Sequence, residues 1–253
     1  MNDQNPINPN AKENSIFDKI TLPLAIIIAG LLIGAGFWIG GRAPRGTSNT
    51  PAPSSARDIS SSASLKQSLR PIDANDHVLG NANARIVVVE YSDPECPFCK
   101  NFHSTMKRIM QDYGKVGKVA WVYRHYPIAE LHKKSFTESV AMECAAALGS
   151  ESSFWEYANK LYEVTPSNDG LDPLELPKIA SSVNIPTDKF NTCLTAGEFD
   201  ARVNADIQNA KELGILGTPY SILIDTKTQD YYPLEGAYPY DQLKTAIDLI
   251  LQS

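Results

Sequence analysis

The chain has no surplus of positive charge. Lysine and arginine total 23 against 29 acidic residues, a net charge of −6. That balance argues against a nucleic-acid partner reached through a basic surface. Histidine is scarce, at four residues, and no spacing among His103, His125 and His132 suggests a metal site. Cysteine is equally scarce. Of Cys96, Cys99, Cys144 and Cys193 only the first two form a C-x-x-C, and the lack of a second such knuckle disfavours a four-cysteine zinc site. Cleavage signals are also wanting: Gly40-Gly41-Arg42-Ala43-Pro44 is a poor signal-peptidase site.

The 253 residues suffice for one medium domain plus extras, and the 43% hydrophobic content is typical of a globular protein. Residues 1–20 are polar, rich in Asn and contain Pro6 and Pro9, and read as a disordered tail. Positions 22–41 carry no charge, with Trp38 near the end of the run. That length matches a membrane-spanning helix, so 21–41 is expected to be an uncleaved anchor. A cleaved signal peptide would have a shorter apolar region, and a buried core helix lacks an amphipathic partner nearby. The glycines at 30, 34, 36 and 40 need no packing role beyond their ordinary frequency in such helices. Lys12 and Lys19 before the run and Arg42 and Arg45 after it leave the orientation open. Residues 42–75 begin with a Ser/Pro/Thr-rich stretch without apolar periodicity and read as a flexible linker.

The most informative stretch is Glu90-Tyr91-Ser92-Asp93-Pro94-Glu95-Cys96-Pro97-Phe98-Cys99. It joins the β-branched run Ile86-Val87-Val88-Val89, which reads as a buried strand, to a helical pattern over 102–113. Cys96 falls at the helix N-cap and Pro97 at the first helical position, where a missing N–H costs nothing. Unpaired backbone N–H groups and the positive end of the helix dipole then favour thiolate at Cys96. Cys99, about one turn on, is expected to be shielded. An exposed activated thiolate beside a shielded partner suits thiol–disulfide exchange.

These residues resemble the active site of the thioredoxin superfamily, and more narrowly of DsbA-like thiol–disulfide oxidoreductases with the signature E-x-S-D-x-x-C-P-F-C. Gly217-Thr218-Pro219 before the strand-like 220–225 resembles the cis-proline loop of that family. The resemblance covers 76–253. It implies an α/β thioredoxin-like fold with an inserted α-helical subdomain at about 133–214, behind a single N-terminal transmembrane helix. Segments 135–148, 153–164, 172–183, 187–195 and 199–213 have helical patterns separated by turn residues, as such an insertion requires. Strands are expected at 118–127, 220–225 and 231–235, with a last amphipathic helix at 240–251.

The resemblance implies catalytic roles for Cys96, Cys99, Thr218 and Pro219. It also implies a proton-transfer role for Glu90, a buried acid six residues before Cys96, against the alternative of a strand-end glutamate in water. In some members of this branch, cysteines placed as Cys144 and Cys193 are here form a structural disulfide, with two unrelated buried thiols as the alternative. His77 is read as a surface residue, His103 as a helix-face residue, His125 as a core or edge histidine, and His132 as part of a loop. Asp93 and Glu95 are read as solvated, since their charges would oppose thiolate formation.

The implied activity is the introduction of disulfides into cysteine-containing proteins outside the cytoplasm, without metal, flavin or nucleotide. The catalytic domain would face outward from the cell membrane, where disulfides persist. A DsbB- or VKOR-type membrane protein would reoxidise the pair. The dipeptide Pro97-Phe98 lacks the imidazole of the strongest oxidants, so a milder oxidant is expected. The alternatives are a reductase or isomerase of the same fold, and a peptide-binding or chaperone-like module whose cysteines only staple it.

Overall fold

A computed structural model describes residues 64–253. The expected tail, the anchor at 21–41 and most of the linker lie outside the described residues. Among the described residues, no helix is long and apolar enough to cross a membrane.

Five strands form one sheet: β1 (His77–Gly80), β2 (Ile86–Ser92), β3 (Val119–His125), β4 (Tyr220–Asp225) and β5 (Asp230–Glu235). Their order is β1-β3-β2-β4-β5, with β2 and β3 parallel and the other pairs antiparallel. The parallel pair needs a crossover, supplied by α1 (Pro97–Ile109) and a π-helical turn, Met110–Gly114. Between β3 and β4 come α2 (Ser135–Leu148), α3 (Glu151–Val164), α4 (Glu175–Ser182), α5 (Thr187–Ala196) and α6 (Asp200–Glu212). Helix α7 (Tyr240–Gln252) closes the chain.

β2 is buried along its whole length because β3 and β4 flank it and both sheet faces are covered. Its alternation sorts the core. Ile86 and Val88 join Trp121, Tyr123, Phe102, Met106 and the insertion helices on one face. Val87, Val89 and Tyr91 join Val122, Ile222, Ala210 and Ile215 on the other. Glu90 and Ser92 share the parity of Val88, which directs them to the face that carries the cysteine pair.

The folded unit starts earlier than position 76. Residues 64–68 are helical and pack Leu65 and Leu69 onto the second face. Arg70 reaches Asp76 and Asp206, both at 2.9 Å, and Asn209 donates its side-chain N–H to the Ser68 carbonyl. At least 64–75 of the expected linker is therefore part of the domain. Two spaced leucines in a polar, serine-rich context left no readable pattern.

Within the insertion, Cys144 of α2 and Cys193 of α5 are joined by a disulfide across 49 positions. That leaves two thiols in the chain and removes the four-cysteine zinc alternative. Closing a loop of this length corresponds to about 4 kcal/mol of denatured-state entropy.

Candidate active site

Cys96 is the N-cap of α1, with extended backbone, and Pro97 follows at the first helical position. The Cys96 N–H donates to the Asp93 carbonyl at 3.1 Å, closing a turn that aims its sulfur at the Thr218-Pro219 loop. That peptide bond is cis. The Cys96 thiol donates to the Thr218 carbonyl at 3.4 Å. Gly236, whose φ of +87° few side chains tolerate, donates its N–H to the Pro219 carbonyl at 2.9 Å and ties the loop to the end of β5. Chain segments more than 120 residues apart thus meet at one sulfur.

The expectation of an exposed nucleophile needs correction. Cys96 is only 5% exposed, because the cis-proline loop lies over it. Cys99 is fully buried, and its sulfur accepts the Asp93 N–H at 3.4 Å. The two sulfurs are unbonded, so the structure is the dithiol form. A hydrogen bond from the Cys99 thiol brings Cys96 down to about 6, against the opposing effect of burial. Backbone N–H groups of Cys99 and Phe98 and the Thr218 side chain add to the lowering. Burial and the neighbouring Cys96 push Cys99 well above an ordinary thiol. The pair is split into a ready nucleophile and a reluctant one.

Glu90 lies inside the sheet and has no exposure to water. Its Oε2 accepts the Trp121 Nε1–H at 2.9 Å, while Oε1 has no partner. Burial raises it to about 7, offset in part by the nearby Ser92 hydroxyl and the Trp121 hydrogen bond. Of the two readings left open by the sequence, the water-facing glutamate is excluded. Beside it runs a buried hydroxyl chain, Ser92 to Tyr162 at 3.0 Å and Tyr162 to Tyr123 at 2.9 Å. Sequence reasoning missed this chain; an alternating strand gives no sign of which hydroxyls meet a distant helix.

Several polar residues sit elsewhere than expected. Asp93 and Glu95 are fully buried rather than solvated. The Asp93 carboxylate accepts N–H groups from Ile128 and Glu95 and pairs with the buried His132 at 3.0 Å. Glu95 accepts the Thr165 hydroxyl and the Leu171 N–H, and its carbonyl accepts the Asn168 N–H at 2.8 Å. His77 is buried too, between Glu151 at 2.9 Å and Glu143 at 3.2 Å, and its ring stacks on Phe154. His103 stacks on Tyr162 and meets Asn159 at 2.9 Å; burial drops it to about 4, so it offers the cysteines no cation.

His77, His125 and Glu143 form a buried group that could hold a metal ion. Arg202 lies 3.6 Å from Glu143, and the two glutamates outweigh burial and lift His77 to about 9. The carboxylate charge is thus already met by the chain's own cations.

Two large apolar side chains are exposed on the segments that carry Cys96 and the cis-proline. Leu216 is 97% exposed and Phe98 62%. A cleft of about 270 Å³ beside Pro219 is lined by Leu216, Gly217, Thr218, Tyr220 and Gly236, among others.

A family model described as thioredoxin matches residues 73–249. Pseudomonas aeruginosa DsbA2 is 28% identical, with a TM-score of 0.59, over 72% of this chain and 97% of that one. A Rickettsia felis protein described as a candidate protein-disulfide oxidoreductase is 27% identical over 72% of this chain and 62% of its own length. A Na(+)/H(+) antiporter NhaA of Salinispora arenicola is 26% identical over 86% of this chain, which spans only 31% of that protein. With β2, α1, the cis-Thr218-Pro219 bond and the helical insertion in place, the chain belongs to the thioredoxin family and has the DsbA-like thiol–disulfide oxidoreductase fold.

Proposed function

We propose that the chain introduces disulfides into cysteine-containing proteins outside the cytoplasm. The observation that carries this is the unequal cysteine pair: Cys96 lowered to about 6 under the cis-proline loop, Cys99 buried and held as thiol. A stabilised thiolate favours the reduced protein, and a pair that favours its reduced form is an oxidant.

In the disulfide form, a client thiolate attacks the Cys96 sulfur. The Cys96–Cys99 bond breaks, a mixed disulfide forms, and Cys99 leaves with the electron pair. Glu90 supplies the proton that Cys99 takes up, and accepts it again on reoxidation. A second client thiolate then attacks the client sulfur of the mixed disulfide and releases Cys96 as thiolate. The client loses two electrons and the pair gains them. The Thr218-Pro219 loop holds the extended client segment beside Cys96.

The uncharged run at 22–41 supports attachment to the cell membrane with this domain on the outer side. Reoxidation then falls to a membrane partner of the DsbB or VKOR type.

Equilibration of the full chain with glutathione tests the proposal. A potential at or above about −180 mV fits a disulfide donor; one near about −270 mV makes it a reductase instead. A pair inert to glutathione would leave only a stapled binding module.

A further inference from the structure

Two acidic residues precede Cys96 within three positions, and neither faces water. Like charges so near should oppose a thiolate. The fold answers each separately. Glu95 faces Glu138 of α2, which burial and Glu95 itself raise to about 9. Glu138 is thereby held neutral and adds no second charge beside Glu95. Asp93 instead meets His132 at 3.0 Å, with the imidazole 6% exposed.

Asp93 is also the residue that ties both cysteines down. Its carbonyl takes the Cys96 N–H, its own N–H donates to the Cys99 sulfur, and its carboxylate holds His132. We propose that His132 is a positioning residue whose cationic imidazole cancels the Asp93 charge and so sets the reduction potential of Cys96/Cys99. It does from the loop after β3 what the dipeptide Pro97-Phe98 has no imidazole to do. The groups that face it are Asp93 from the loop after β2, Cys96 from the start of α1 and Asp169 from the loop after α3. All three outweigh burial and favour the charged ring. Asp169 is in turn held by the Lys133 and Lys134 N–H groups, at 3.0 and 2.9 Å.

The inference rests on Cys96/Cys99 being a redox pair, and a charge-cancellation cycle on the full chain separates the two claims. His132→Gln keeps a hydrogen-bond donor for Asp93 but removes the cation. The constant against glutathione should then fall by about tenfold, or about 30 mV for a two-electron couple. Adding Asp93→Asn removes the uncancelled anion, and the double variant should return to within about threefold of the parent. A single variant that keeps the parent potential, whatever its melting temperature, overturns the inference, as does a double variant as low as the single. Should either variant fail to fold, the histidine titration of the unaltered chain decides by NMR. Oxidising the cysteines removes the thiolate and should weaken proton binding at His132 by the same factor of about tenfold, by reciprocity. Equal titration in both redox states overturns the inference. A parent chain that does not exchange with glutathione takes down the redox reading and this inference together.

Discussion

Cys96 and Cys99 are unbonded with two residues between them; Cys144 and Cys193 are bonded across 49 positions. Both pairs are buried. What separates them is backbone placement. Cys96 occupies a helix N-cap with N–H groups aimed at its sulfur, and a loop from the far end of the chain covers it. Cys144 and Cys193 lie within helices whose N–H groups are already spent, and they face each other across the α2–α5 seam. The same atom is therefore a nucleophile in one place and a staple in the other. The lesson is that the surrounding donors decide, not burial.

The sharpest way to break this comparison is Cys96→Ser, which should reduce exchange with glutathione to background while Cys144–Cys193 stays closed. Residual exchange in a thiol-trapping assay would mean that the second pair is active too. Next in size, a Cys144→Ala/Cys193→Ala variant should lose about 4 kcal/mol of stability in urea unfolding, as an upper figure for a loop of this length. Its Cys96/Cys99 potential should stay at the parent value; a shift would show that the pairs are coupled.

Glu90→Gln should slow the exchange step that moves the Cys99 proton by about 10²-fold, a typical acid–base contribution. In the parent, that proton transfer should titrate near pH 7, where Glu90 is placed, and the inflection should vanish in the variant. Stopped-flow measurement of Trp121 fluorescence across pH 5 to 9 reads both. The sign for stability is fixed as well. A raised carboxyl binds its proton more tightly folded than unfolded, so its contribution is full below about pH 4.5 and lost as pH rises through about 7.

Cys96 runs the other way. Its folded value near 6 lies below the ordinary 9, so its contribution is full above pH 9 and is lost as pH falls through about 6. The stability difference between the reduced parent and Cys96→Ser should therefore grow from pH 5 to pH 8. A flat difference in urea titrations would deny the thiolate its stabilisation. The smallest effect expected is that of Trp121→Phe, which leaves the buried Glu90 carboxyl without its Nε1–H donor and should cost about 2 kcal/mol in urea unfolding.

Much of this architecture was readable in the chain. The α2 bounds and the β4 bounds fall where helical spacing and β-branching put them, and Pro97 marks a helix start for steric reasons. Cys96, Cys99, Thr218 and Pro219 were legible because C-x-x-C and Thr-Pro carry strong local geometry. The interior charges were not. His132 meets Asp93 across 39 positions, and Arg124 lies fully buried against Asp76 across 48. A polar residue in a strand or loop looks the same in sequence whether its partner is water or a distant carboxylate. Burial of Asp93, Glu95 and His77 was misjudged for that reason.

The clasp at the start of the domain has a mechanical meaning. Leu65 and Leu69 lie on the sheet face opposite the cysteine pair, and Arg70 is fastened to Asp76 and to Asp206 of α6. Tension arriving from upstream would enter the rear of the sheet and be taken up by β3 and α6, through Arg124 and Asp206. The loops around Cys96 would stay slack. A pull on the chain upstream of Leu65 would then leave the geometry around Cys96 as it is.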